Sequence, residues 1–161
     1  MSNMEITETA EQKFAADRML GRLVKWLRAA GCDVIYGPHL TGYGLIRAAR
    51  AESRTILTRD RGLKQKQPPP FIFLESNRYD EQMRQLIRDC GLQWGERLFS
   101  RCLVCNSPLQ ARSKTSVENL VPPYVYASQE RFSWCPRCQR VYWSATHQHK
   151  MLDALQKIAA G

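Results

Sequence analysis

The sequence has no apolar run of the roughly 18 to 20 residues that a membrane-spanning helix needs, because charged residues interrupt every hydrophobic stretch. Its first residues, MSNMEITETAEQK, lack the basic start and apolar centre of a secretion signal, so we expect a cytoplasmic protein. It also contains no glycine-rich phosphate loop, no serine nucleophile elbow and no convincing internal repeat. A membrane protein and the enzyme classes built on those motifs are therefore disfavoured.

The 161 residues are 43% hydrophobic and 24% charged, which is typical of a globular protein. This length suits one domain of about a hundred residues and a smaller unit. The net charge is +9, and residues 97–161 alone carry nine basic and three acidic residues. A basic surface suits a nucleic-acid partner, although it can also serve solubility alone, and charge does not distinguish DNA from RNA.

Six cysteines without a secretion signal favour metal binding or free thiols over disulfides. Cys102 and Cys105 form one CxxC pair, and Cys135 and Cys138 form a second. Two such turns can close a tetrahedral cage of four thiolates, for which zinc is the expected metal. Because cysteine fills all four positions, no ligand position is open to a catalytic water, and we expect a structural zinc site.

Residues 14–90 alternate short apolar runs with segments of helical periodicity, which predicts a mainly parallel sheet covered by helices. We expect strands at residues 14–16, 33–36, 55–58 and 71–74. Helices are expected from Met19 to a stop at Gly31, over 45–52, from about Met83 to a stop at Gly91, and from near His147 to Ala159. The two remaining cysteines, Cys32 and Cys90, are expected to be buried packing residues.

Two carboxylates follow predicted strands: Asp17 after the first, and Asp60 after Thr58-Arg59. Parallel sheets carry their sites at the carboxyl ends of the strands. Carboxylates that converge there repel one another unless a hard cation such as magnesium or manganese lies between them. The pattern favours a metal-dependent phosphodiesterase, and the alternative is that both aspartates cap the helices that begin after them.

Several cations are candidates for phosphate contacts. Those of the first predicted helix lie off its apolar stripe, and a solvated face is the simpler interpretation of them. In residues 121–143, aromatic residues alternate with cations, which suits stacking on bases, although the same rings could pack a small core. His147 could contact phosphate, adjoin an active site or cap a helix. The candidate nucleic-acid contacts are Arg18, Arg22, Arg59, Arg61, Arg101, Arg137, Arg140 and His147.

The order of motifs points to a known family. The relevant segments are Asp17-Arg18-Met19-Leu20-Gly21-Arg22-Leu23, Leu57-Thr58-Arg59-Asp60-Arg61, the two CxxC pairs, Val121-Pro122-Pro123 and Arg140-Val141-Tyr142-Trp143. From about residue 13 to residue 158 the chain resembles the Mut-seven C-terminal RNase domain family, a PIN-like domain fused to a zinc ribbon. The resemblance implies a flexible tail (1–12), a PIN-like three-layer α/β/α domain with a parallel sheet (13–96), and a four-cysteine zinc ribbon with a C-terminal helix (97–161).

The resemblance also implies metal-dependent endoribonuclease activity, with Asp17 and Asp60 holding magnesium or manganese and products that carry a 5′-phosphate and a 3′-hydroxyl. The family usually has a further acid before its second helix, but residues 41–44 contain none. The candidates to replace it are Glu75, and with lower priority Asp33 and Asp80. Two hypotheses stay open: an endoribonuclease acting on structured RNA, and an RNA-binding or ribonucleoprotein-associated protein with a weakened acidic site.

Overall fold

The computed structural model describes residues 11–161, which form a four-stranded parallel sheet with helices on both faces and a separate three-stranded antiparallel sheet. The first sheet and its helices comprise β1 (Lys13–Ala16), α1 (Gly21–Ala29), β2 (Asp33–Ile35), α2 (Gly42–Ala51), β3 (Thr55–Thr58), β4 (Phe71–Phe73) and α3 (Tyr79–Cys90). The second unit comprises β5 (Gln110–Arg112), α4 (Pro123–Ser128), β6 (Phe132–Cys135), β7 (Arg140–Trp143) and α5 (Thr146–Ala160). No helix among the described residues is long and apolar enough to cross a membrane.

Alternate residues of each strand face opposite layers, as the pleat of a β-strand requires. In β1, Phe14 and Ala16 pack in a core cluster with α1, α3 and α5, whereas Ala15 packs in a second cluster with α2. Burial of each large aliphatic side chain in these clusters, such as Leu23 or Leu45, stabilises the fold by roughly 1.5–3 kcal/mol. The predicted three-layer α/β/α architecture is confirmed.

The strand order β2-β1-β3-β4 creates a crevice between the carboxyl ends of β1 and β3. The segment after β1 leads to α1 on one face of the sheet. The segment after β3 leads to Leu63, which packs in the cluster on the other face. Because the two connections separate to opposite faces, this crevice is the place where such sheets bind ligands.

The helices differ in extent from the predictions. A short 3-10 helix (Arg18–Leu20) precedes α1, and α2 begins at Gly42 rather than residue 45. Helix α3 begins at Tyr79, before the first strongly apolar residue of its stripe. The apolar period therefore marks the buried part of each helix and not its polar first turn. The predicted stop at Gly31 is present, where φ is +93° and a Cβ would lie 2.3 Å from the Arg97 carbonyl oxygen.

Buried polar contacts join the second unit to the amino end of the first sheet. The Asn106 amide donates to the Asp33 carboxylate at 2.7 Å and accepts from the Val34 backbone N–H at 2.9 Å. Arg54 also donates to Asp33, at 2.8 Å. Burial alone would raise the pKa of Asp33, but the hydrogen bonds from Arg54 and Asn106 outweigh it and lower that pKa. Asp33 is therefore part of a structural ion-pair network.

Arg28 of α1 is a second such contact, and it is not the solvated surface charge predicted for the cations of this helix. Only 5% of this residue is exposed. Its guanidinium donates to the carbonyl oxygens of Val34 at 2.9 Å, Leu103 at 3.2 Å and Val104 at 3.0 Å. Three backbone acceptors on two separate units satisfy the buried charge, so this arginine connects α1 with the loop between Cys102 and Cys105.

Both ends of the described chain, residues 11–12 and helix α5, make contacts with distant segments. Residues 1–10 of the predicted tail lie outside the described residues, but Glu11 pairs with Arg101, and the Gln12 side chain donates to the Cys90 carbonyl oxygen at 2.9 Å. At the other end, Leu155 and Ile158 of α5 pack in the core cluster of α1 and α3. Helix α5 therefore follows the ribbon in sequence and packs on the first sheet unit.

Candidate functional site

Asp17 lies directly after β1, in the crevice between β1 and β3, and is fully buried. Its backbone N–H donates to the Leu57 carbonyl oxygen at 2.9 Å, which continues the ladder between the two strands. Its Oδ2 accepts a hydrogen bond from the Thr58 hydroxyl at 2.8 Å. The same hydroxyl accepts from the backbone N–H of Asp60 at 2.9 Å. Thr58 therefore links the two predicted site aspartates.

The two carboxylates have different surroundings. Oδ1 of Asp17 is buried and has no hydrogen-bond partner within residues 11–161. Asp17 also makes no side-chain cap to the 3-10 helix that follows it. Asp60 is half-buried, and its Oδ1 accepts from the Gly62 backbone N–H at 2.8 Å. Local turn capping thus accounts for one oxygen of Asp60 but for neither oxygen of Asp17.

The candidate additional acids lie in three different settings. Glu75 is exposed just beyond β4, and its backbone N–H donates to the Gln85 side chain at 3.0 Å. Asp80 is bound by Arg78 at 3.0 Å and Arg84 at 3.5 Å. Asp33 lies at the amino end of β2, away from the carboxyl ends of the strands. Only Glu75 is at the crevice edge of the sheet without an ion pair in the described part of the chain.

Positive charge lies on the segments that follow β1 and β3. Arg18, Arg22 and Arg61 are exposed there, and two of them lie over aromatic rings. The Arg22 guanidinium is 4.4 Å from the centre of the Tyr79 ring. Arg59 differs, because it is half-buried and donates to the carbonyl oxygens of Leu74 at 2.8 Å and Glu75 at 2.9 Å. The first three arginines are available to a ligand, whereas Arg59 holds the segment after β4.

The four cysteines of the two CxxC pairs converge as predicted. Their sulfur atoms all lie within 4.8 Å of one another, with Cys102 and Cys138 separated by 3.9 Å and Cys105 and Cys135 by 3.4 Å. The first pair lies in the turn before β5, and the second begins at the last residue of β6 and continues into the turn before β7. A four-thiolate set of this kind matches a closed structural zinc site, so the cluster can bind zinc.

The thiols affect each other strongly in this cluster. Burial opposes ionisation of Cys105, but hydrogen bonds with Ser107, Cys135 and Cys138 together outweigh it and lower the pKa of Cys105 to about 6. Hydrogen bonding with Cys105, together with burial, raises the pKa of Cys138 to about 12. The Tyr142 hydroxyl lies 3.0 Å from Cys102 Sγ. Four such thiols cannot all ionise side by side without a cation, which fits the donor set to a divalent metal.

The candidate RNA contacts of the second unit also fall into two groups. Arg137, Arg140 and His147 are exposed. Arg101 is 9% exposed, pairs with Glu11, and donates to the Asn106 carbonyl oxygen at 2.7 Å. These contacts give Arg101 a structural role at the junction of the two units, and we do not retain it as an RNA contact. Its position directly before Cys102 gave no sign of this burial.

Some of the aromatic residues of the ribbon pack in its core, and others are exposed. Phe132 is buried with Val117, Val121 and Val125, and Tyr126 and Trp143 pack against this cluster. Tyr124, in contrast, is 74% exposed. Packing therefore explains Phe132 fully, while Trp143 keeps part of its surface accessible.

Sequence reasoning missed three residues that organise these sites: Thr58, Arg28 and Asn106. The position of Thr58 as the last residue of a buried strand, two residues before Asp60, is the signal that could have identified it. Arg28 and Asn106 gave no such signal, because their partners are about 75 positions away in sequence.

Comparison with protein families identifies the chain. The family model of the Mut7-C RNAse domain matches residues 12–155. The chain belongs to the Mut7-C RNAse domain family. The match includes Asp17, Asp60 and all four cysteines, and it confirms the resemblance seen in the motifs. Membership indicates a ribonuclease-related function, with RNA as substrate or partner. Comparisons with curated proteins and with solved structures gave no match.

Proposed function

We propose that this Mut7-C family member is a metal-dependent endoribonuclease with its reaction centre at Asp17 and Asp60. The observation that carries the proposal is Oδ1 of Asp17, which is buried without a partner among residues 11–161. An unsatisfied buried oxygen costs about 1–3 kcal/mol, and more when it is charged. A divalent cation would supply the missing partner, and carboxylate oxygens are ligands that magnesium and manganese prefer.

The donor set fits one such cation, held by Asp17 and Asp60. When bound, it would polarise the scissile phosphate and generate hydroxide from water. The chain's own residues orient the centre: the Thr58 hydroxyl fixes Asp17 Oδ2 and the backbone of Asp60 in a shared network. Glu75 is the acid that could approach from the end of β4.

The exposed arginines at the crevice edge would position the RNA. Arg18, Arg22 and Arg61 can each bind phosphate oxygens on either side of the scissile bond. Such contacts carry no sequence information and fix only the register of the strand. The crevice residues therefore support cleavage of an RNA backbone without base selection at the reaction centre.

The test is cleavage of a 5′-labelled structured RNA by the zinc-loaded protein, with magnesium, with manganese and with neither. Asp60→Asn removes a charge from a half-buried side chain, and Asp89→Asn makes the same change on the exposed end of α3. Because a metal ion contributes several kcal/mol of transition-state stabilisation, we expect metal-dependent cleavage that falls roughly 100-fold in Asp60→Asn and persists in Asp89→Asn. Equal cleavage by Asp60→Asn, or no cleavage with either metal, would overturn the proposal.

A second candidate function is RNA binding without cleavage. One observation favours it: the four cysteines are the only group of three or more His, Cys, Asp or Glu residues positioned to hold a metal ion in residues 11–161. Two carboxylates bind a hard cation less tightly than three or four, since ligand charge sets affinity. A gel shift or protection of the RNA without cleavage, in the same experiment, is the result this alternative predicts.

A further inference from the structure

A groove of about 590 Å³ runs between the two units, away from the residues of the Asp17–Asp60 crevice. Its walls come from α1, the turn between Cys102 and Cys105, strand β7 and the start of α5. We call it the ribbon groove. Its volume lies within the range of about 300–1,000 Å³ that small organic ligands occupy. Neither the zinc cluster nor the acidic crevice uses it.

The surface of the ribbon groove is largely aromatic and aliphatic. Phe99, Tyr142 and Trp143 contribute rings, and Val104 and Leu120 are exposed aliphatic residues at its border. The hydroxyl of Tyr142 is directed to Cys102, so its ring and not its polar end is available to the groove. Aromatic faces of this kind stack on nucleobases regardless of base identity.

The charge in the ribbon groove is of one sign. Lys25 from α1 and Arg140 from β7 are exposed cations in its lining, and none of its lining residues is acidic. His147, at the start of α5, adds an imidazole. Apolar rings between cations match a base with phosphates on either side of it. A peptide or lipid tail would use the apolar surface but not this arrangement of charge.

We propose that the ribbon groove binds an unpaired nucleotide of an RNA strand, with the base against Trp143 and the adjoining phosphates at Arg140 and Lys25. The inference rests on the proposed function only for the identity of the nucleic acid as RNA. A paired base is stacked inside a duplex and cannot enter a groove of this kind, so the groove selects single-stranded segments. It would hold a substrate strand independently of the reaction centre.

The test is fluorescence anisotropy with a labelled eight-nucleotide RNA, free or annealed to its complement, and zinc-loaded protein without magnesium or manganese. Trp143→Leu removes the ring but keeps an apolar side chain, and Arg140→Ala changes an exposed cation. The matched control is Arg112→Ala, because Arg112 is an exposed cation of the same ribbon, stacked on Trp134 at 5.1 Å and outside the groove.

We expect the single strand to bind more tightly than the duplex. Loss of one base stack weakens binding roughly 5- to 150-fold, so Trp143→Leu should lower single-strand affinity about tenfold and Arg140→Ala several-fold, with Arg112→Ala near wild type. Unchanged affinity in Arg140→Ala, which does not depend on ribbon packing, or equal binding of the duplex would overturn the inference. Groove-dependent binding, together with no RNA cleavage in the separate assay with magnesium or manganese, would refute only the nuclease. Metal-dependent cleavage together with groove-independent binding would refute only the groove.

Discussion

The guanidinium of Arg28 donates to the carbonyl oxygen of Val104 over 3.0 Å, and so joins helix α1 to the first zinc-binding turn. Helix α1 begins four residues after Asp17, at the crevice edge of the sheet. The same helix carries Lys25 into the ribbon groove. Together with the Asn106 contacts, this buried arginine links the four-cysteine cluster to the unit that carries the acidic crevice. The ribbon groove forms between the parts they join.

Replacing Arg28 with methionine should destabilise the protein. Methionine fills similar volume but leaves the carbonyl oxygens of Val34, Leu103 and Val104 without this donor. Hydrogen bonds to charged groups contribute about 1.5–3 kcal/mol each and are not additive, so we expect the free energy of unfolding to fall by about 3 kcal/mol in urea. Lys25→Met, an exposed change on the same helix, should leave stability nearly unchanged; equal stability of both variants would contradict this role.

Zinc binding to the metal-free protein should release fewer than four protons at pH 7. All four ligands must be thiolates in the complex. With a pKa of about 6, Cys105 is already ionised at pH 7, whereas Cys138, with a pKa of about 12, still carries its proton. Calorimetry in buffers of different ionisation enthalpy measures the number released. This number should rise as the pH falls through 6, because Cys105 is then protonated before zinc binds; release of four protons at pH 7 would refute the low pKa of Cys105.

The Thr58 hydroxyl should be needed to orient Asp17 and Asp60 for cation binding. Thr58→Val keeps the shape of the side chain but leaves Asp17 Oδ2 and the Asp60 N–H without their shared partner. The loss should be about 2 kcal/mol of stability. A cation at 100 times its dissociation constant stabilises a protein by about 2.7 kcal/mol, so manganese should raise the melting temperature of zinc-loaded wild type.

The manganese-induced rise in melting temperature also distinguishes two roles of Thr58, orientation of the carboxylates by its hydroxyl and packing by its side chain. Thr58→Val should lose most of the shift, while Thr58→Ser, which retains the hydroxyl, should keep it. Thermal unfolding with and without manganese measures both variants independently of any cleavage. A full shift in Thr58→Val would show that the hydroxyl does not orient the carboxylates.

The sequence predicts the parts of this molecule that depend on local pattern. Short apolar runs identify the four parallel strands, and the CxxC spacing identifies the four cysteines that cluster, because both signals lie within a few residues. The proximity of Asp17 and Asp60 follows from their positions after strands, since parallel strands bring their carboxyl ends to one edge.

Contacts between distant segments explain what sequence reasoning could not predict. Arg28 looks like a surface cation until the loop at Leu103 covers it, 75 positions later in the chain. The stripe of Met151, Leu155 and Ile158 indicates an apolar face on α5, but not that α3 receives it. Asp33 is the first residue of a predicted strand, but the sequence does not indicate that Arg54 and Asn106, 21 and 73 positions away, bind its carboxylate.

The turn between Cys135 and Cys138 should contribute to RNA affinity through Arg137. This arginine is exposed and is not part of the buried cluster of the ribbon. Charge reversal, Arg137→Glu, should weaken binding of structured RNA while zinc content stays unchanged, because the thiol ligands are intact. Arg137→Ala should reduce the slope of log affinity against log salt by about 0.7–0.9, the value for one phosphate contact. Arg88→Glu makes the same charge change on exposed α3 and should bind as wild type does. If Arg137→Glu with retained zinc binds RNA like wild type, the second zinc-binding turn does not face the RNA.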